Sequence, residues 1–232
     1  MSDQPLTQPP QETIVGFYGK MPSRGDFVRR GLPDSFVDPW DTWLQGLLAQ
    51  TQAEIGNDWL DAYLNAPIWY FVVSSGVLDE HLWAGAMMPS VDRVGRYFPL
   101  VQAIGIADGI GLIAMREALG DWFQTAKDSL LDALERDELD IDQYFETLST
   151  ADKLQFSRPL TSDMALQTHG SAPAIEIAGR PEAIFGAAGF DAVLSQSFTK
   201  PCLFWKENDP GQVMALLLDD LESFKDYYLR AT

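Results

Sequence analysis

The sequence predicts an α/β protein: a three-layer sandwich with a mixed, partly antiparallel sheet and helices on both faces. Three observations predict it. The runs PIWYFVVSSG (67–76) and FPLVQAIGIA (98–107) are apolar, β-branched and aromatic, without the alternation of a strand that faces water. They suit a sheet buried on both sides. Segments of helical periodicity are interleaved with such runs, which is the pattern of a sheet covered by helices. Finally, the link between HLWAGAMMPS (81–90) and the run at 98–107 is too short for a crossover, so at least one strand pair is antiparallel.

Taken in order, residues 1–12 are polar and rich in Gln and Pro, and are expected to be a disordered tail before a single domain over 13–232. They contain no basic or apolar signal region. ETIVGFYGK (12–20) is a short apolar run ended by glycine and reads as a strand. In FVDPWDTWLQGLLAQ (36–50), Asp38 suits an N-cap, Pro39 the first helical position and Asp41 the first turn. Trp40, Trp43, Leu44, Leu47 and Leu48 then follow the spacing of one helical face, and the core is the ordinary destination of such a face. NDWLDAYLN (57–65) reads as a short helix capped by Asn57 or Asp58. Three strands follow, at 67–76, 81–90 and 98–107, with His81 at a strand entrance beside no partner.

From Gly111 to Ser149 the periodicity is helical, with Leu119, Trp122, Phe123, Leu130, Leu131 and Leu134 marking the apolar face. Residues 117–146 hold ten acidic and two basic side chains, which is a solvated face or a docking surface for a basic partner. Residues 150–172 lack periodicity and read as a long surface loop. PAIEIAG (173–179) and CLFWKEN (202–208) read as strands, VMALLLD (213–219) fits strand or helix, and DLESFKDYYLR (220–230) closes the chain as an amphipathic helix.

Composition narrows the function. Of 232 residues, 46% are hydrophobic and 12% aromatic, enough for a substantial core. No apolar run reaches the roughly 18 residues of a membrane span. The lone Cys202 forms no internal disulfide, which fits a reducing, cytoplasmic setting. With only His81 and His169, no metal-ligand spacing is recognisable, and neither a metal nor a cofactor is expected. The net charge of −18 disfavours nucleic acid and anionic membranes, which leaves proteins or small molecules as partners.

The positive charge of the first half is segregated. Among residues 1–110 the six basic side chains are Lys20, Arg24, Arg29, Arg30, Arg93 and Arg96, all within GKMPSRGDFVRR and SVDRVGRYFP. Two readings stay open. Arginine forks paired with buried carboxylates would fix the loops. Alternatively, Arg24, Asp26, Arg29, Asp92, Arg93 and Arg96 form a composite anion or partner site. Either way the two loops are expected to meet in space. Gly19-Lys20 is no phosphate-binding loop, because Met21-Pro22 replaces the hydroxyl residue and removes a backbone donor. Arg24-Gly25-Asp26 as an adhesion tag needs an extracellular setting. A small hydrolase is the alternative class, with Ser23 beside Asp26 or Ser90 beside Asp92. However, the chain has no Gly-x-Ser-x-Gly elbow, and neither histidine lies in a motif.

GFYGKMPSRGDFVRRGLP, DPWDTWL and WAGAMMPSVDRVGRYFPL, in that order, resemble the N-terminal signature of the TagF (ImpM) proteins associated with bacterial type VI secretion. The resemblance covers residues 14–106. Further on, CLFWKEN stands where that family carries a Ser-Leu-Trp-Trp pattern. The resemblance implies a cytoplasmic α/β protein that is an accessory, post-translational repressor of secretion-apparatus assembly. It also implies a protein partner, a forkhead-associated scaffold in some systems. Some relatives are fused to a metal-dependent phosphatase, whose Asp-Gly-rich metal motifs this sequence lacks.

Overall fold

The computed structural model describes residues 13–107, 111–149, 165–168, 174–179, 194, 197–209 and 211–229. The tail expected over 1–12 lies outside them. The strands are β1 (Thr13–Gly19), β2 (Val28–Arg30), β3 (Trp69–Val73), β4 (His81–Met88), β5 (Leu100–Ala107), β6 (Ala165–Thr168), β7 (Ala174–Gly179), β8 (Cys202–Asp209) and β9 (Gln212–Leu218). The helices are α1 (Asp34–Ile55), α2 (Trp59–Leu64), α3 (Leu112–Ala118), α4 (Gly120–Glu135), α5 (Ile141–Ser149) and the single turn α6 (Lys225–Tyr228).

All nine strands join one sheet in the order β2-β1-β5-β4-β3-β8-β9-β7-β6. Every described pair is antiparallel, so the mixed sheet expected from sequence is corrected. The reason is topological. β3-β4-β5 and β8-β9 are linked too briefly for a parallel crossover. The helical connections, by contrast, join strands that are not neighbours, such as β2 to β3 and β5 to β6. Continuous apolar runs report burial on two faces. They do not report strand direction.

Alternate residues of β3 separate the two faces. Tyr70 and Val72 belong to a cluster with Met115, Phe123, Leu130 and Tyr144 of α3, α4 and α5. Trp69, Phe71 and Val73 belong to another, with Phe36, Trp40, Trp43 and Leu47 of α1 and Phe224 and Tyr228 near the end of the described chain. The two-residue strand period explains why one short run feeds both cores. Gln102 of β5 is fully buried and ties α4 and α5 to the sheet. Its amide N–H groups donate to Ser129 Oγ (2.6 Å) and to the Tyr144 hydroxyl.

Several element boundaries differ from the sequence reading. α1 begins at Asp34 behind Pro33, about one turn upstream of the expected start, so that Pro39 lies inside the helix. Burial of Phe36 and Val37 extends the helix upstream, and Phe36 stacks on Trp40 at 5.3 Å, one turn away. Neither Asn57 nor Asp58 caps α2 through its side chain, because a 3-10 turn over Gly56–Asp58 leads directly from α1 into it. Within the loop expected at 150–172, β6 pairs with β7, and the other residues of that stretch lie outside the described ones. The ambiguous run at 213–219 is strand β9, held between β8 and β7.

Candidate functional site

The two basic loops meet at one end of the sheet. β1 runs antiparallel to β5, so the end of β1 lies beside the start of β5, and the β4–β5 connection is at the same edge. The first loop leaves β1 at Gly19, whose φ of +138° suits glycine and whose Cβ would stand 2.1 Å from the Pro99 carbonyl oxygen. The stretch ends at Gly31, where φ is +77° and a Cβ would meet the Val15 oxygen at 2.0 Å. The two glycines that bound the stretch are therefore demanded by close backbone crossings, whereas a Cβ at Gly25 between them would meet only the Arg93 guanidinium at an ordinary 3.5 Å.

Asp92 is the hub between the loops. Its buried carboxylate accepts from Lys20 Nζ at 2.9 Å and from Arg96 Nε at 2.6 Å. The backbone N–H groups of Val94 and Arg96 donate to its other oxygen at 3.0 and 2.9 Å. Burial favours the neutral acid. The Arg96 N–H, the Lys20 ammonium, the Arg96 guanidinium and the Val94 N–H outweigh it and hold the carboxyl well below the usual range. Lys20 is itself buried, with its ammonium 5.0 Å from the centre of the Phe27 ring. Further bonds stitch the loops together. Arg96 Nη2 donates to the Gly25 carbonyl (2.6 Å) and the Arg93 N–H to the Arg24 carbonyl (2.8 Å), and Ser90 Oγ donates to the Lys20 carbonyl (2.7 Å). Arg96 also lies 3.7 Å from Asp26. From α2, the Tyr63 hydroxyl donates to the Ser90 carbonyl and accepts from the Ser90 N–H.

Arg24, Asp26, Asp92, Arg93 and Arg96 are thus brought together, and Arg29 is not. Its guanidinium donates twice to the Leu32 carbonyl and pairs with Asp34 at 2.5 Å, which ties β2 to the start of α1. Lys20 is the residue that sequence reasoning passed over as a site member, although it stood in the same motif. Tyr63 carried no sequence signal. The acidic segment, a separate candidate surface in the sequence, lies against the first loop. Arg24 Nη2 donates to the Leu139 carbonyl at 2.8 Å, and Arg30 pairs with Asp142 of α5.

Above the network lies an exposed tip, Arg93-Val94-Gly95-Arg96-Tyr97, in which Arg96 is the side chain tied down to Asp92, beside exposed Asp26 and Phe27. Val94 is 66% exposed, Phe27 41% and Tyr97 37%, high values for apolar and aromatic side chains. The catalytic pairs pictured from sequence are not bonded pairs. Ser90 Oγ is committed to Lys20, and Ser23 Oγ is buried without a partner among the described residues. His81 Nδ1 lies 3.2 Å from Asp79, while His169 is outside the described residues. Asp79, Glu80 and His81 bring their ligand atoms within 4.8 Å of one another. The Asp79 carboxylate is already engaged by the His81 N–H, Trp83 Nε1 and Ser35 Oγ.

Residues 16–151, more than half of the chain, match the model of the TagF N-terminal domain, type VI secretion system-associated. The chain belongs to the TagF family. Across its full fold it is similar to the crystal structure of PA0076 from Pseudomonas aeruginosa PAO1, with a TM-score of 0.63 and 27% identity over 92% of this chain and 93% of that one. No curated protein matches the sequence. The TagF-matched range contains the whole two-loop cluster together with the α4–α5 connection that touches it. Among the described residues, no helix of this TagF-family chain is long and apolar enough to cross a membrane.

Proposed function

We propose that this TagF-family chain is a non-catalytic accessory regulator of type VI secretion. It acts in the cytoplasm as a post-translational repressor of apparatus assembly, by stoichiometric binding of a protein partner. The forkhead-associated scaffold of the secretion system is the first partner to test. The docking surface is the two-loop tip, with Arg24, Asp26, Arg93 and Arg96 at its face and Asp92 beneath it. One observation carries this reading: a buried charge network ties the two loops together beneath an exposed apolar and basic tip. A preorganised loop loses little entropy on binding, Arg and Tyr are among the side chains that dominate binding energy at interfaces, and Phe is enriched there.

The test is repression titrated against expression level, together with binding to the purified scaffold. Repression that saturates near equimolar regulator and falls with Val94→Asp or Tyr97→Ala is expected. Repression by far fewer copies than the target, abolished by a single Ser or Asp substitution, would overturn the reading in favour of an enzyme.

A further inference from the structure

The chain has 34 acidic and 16 basic residues, so an exposed cation has carboxylates in excess to pair with. Exposed Arg29 and Arg30 pair with Asp34 and Asp142, and Arg136 with Asp132. Arg93 departs from this pattern. Its exposed side chain makes no hydrogen bond or ion pair among the described residues. Its N–H is bonded to Arg24, whose own guanidinium is given to the carbonyls of Ser23 (3.4 Å) and Leu139 (2.8 Å) and to no carboxylate. Across the two loops four cations, Lys20, Arg24, Arg93 and Arg96, face two carboxylates, Asp26 and Asp92. Counted over these two loops, the tip carries a positive excess on a strongly negative chain, with the acidic stretch 137–140 on its Arg24 side and Arg93 on the other loop.

From this unpaired charge, set among exposed Val94, Tyr97 and Phe27, we infer that the tip recognises a short acidic segment of its partner, carboxylates flanking an apolar side chain. This rests on the docking reading above and adds the chemistry of the partner. A carboxylate fits the guanidinium fork of Arg93 through two bonds. The apolar side chain of the segment covers Val94 and Tyr97. A short segment senses this local field, because charges beyond a Debye length of about 8 Å at physiological salt are screened. A second copy of the chain is a poorer occupant, since two bodies of charge −18 repel on approach.

The experiment follows backbone amide shifts of the isotope-labelled full chain. The probes are three synthetic peptides: one of Glu and Asp around a central Phe-Leu, its Lys-substituted counterpart, and one whose only added charge is a phosphothreonine. The acidic peptide is expected to shift Phe27 and the 93–97 amides, and to weaken about tenfold on raising salt or on Arg93→Glu. Arg93 makes no side-chain bond, so that variant should melt at the wild-type temperature; Arg93→Gln is the milder check. Equal response to the Lys peptide, shifts elsewhere on the molecule, or a clear preference for the phosphothreonine peptide would overturn the inference. Scaffold binding and repression separate it from the docking reading. If Val94→Asp abolishes both while Arg93→Glu leaves both intact, docking stands and the acidic partner falls. If neither variant alters repression, the docking reading falls.

Discussion

Asp92 makes the motif loops a unit. A carboxylate buried against Lys20 is a stranded-charge problem in waiting: removing one partner leaves the other uncompensated. Asp92→Asn should therefore lower the denaturation midpoint markedly, and Lys20→Met in the same chain should recover part of the loss, as a double-mutant cycle would measure. The pH dependence has a definite sign. The folded carboxyl is held below its ordinary pKa of about 4, so the contribution is complete above that pH and fades as acid protonates the folded form. The gap between wild type and Asp92→Asn should be full at neutral pH, begin to shrink below about pH 4 and close only in stronger acid. A gap constant into strong acid would refute the assignment. Gly19→Ala belongs to the same scale. Its Cβ would collide with the Pro99 backbone, and the variant should lose much of its stability by thermal melt without any charge being touched.

At the scale of elements, α1 shows how packing overrides a plausible cap. Asp38-Pro39 had the residue types of a helix start. The helix nevertheless begins a turn earlier, because Phe36 gains fully buried contact with Trp40 and lies 4.5 Å from the Trp83 ring, centre to centre. Trp40 is fully buried and packs on Phe71 at 4.6 Å, so Trp40→Ala should cost about 3–5 kcal/mol in a denaturant titration. Arg30 and Asp142 make the contrasting case. They join β2 to α5 through an exposed pair, so Arg30→Ala should change stability by no more than about 1 kcal/mol. α5 thus stays docked mainly through Tyr144 and Leu148 in the core, with the surface pair a minor contributor.

For the whole molecule, the charge balance and the sheet act together. A net charge of −18 on one compact sheet repels itself. Moderate salt should therefore raise the melting temperature, while the Lys20–Asp92 bond, being buried, is little screened. A melting temperature that falls steadily with salt would show instead that surface ion pairs dominate.

Legible in the sequence by itself were the composition of the core, the strands read at 67–76, 81–90 and 98–107, which the structure places at Trp69–Val73, His81–Met88 and Leu100–Ala107, and the helical face of Trp40, Trp43, Leu44, Leu47 and Leu48. These are local signals, since the period of apolar residues is set by the geometry of one strand or one helix. It also collected the cations that matter into two short motifs. Only the tertiary structure decided which of them are structural. Lys20 reaches Asp92, 72 residues away in the chain, and meets its local partner Arg96 there, while Arg29 turns away to Asp34 and Arg93 is left bare, because which carboxylate each cation meets depends on how the two loops fold together. Strand direction was likewise a tertiary matter: a run buried on both faces looks the same whichever way its neighbour runs, and only the connections that carry β1 beside β5 settle it.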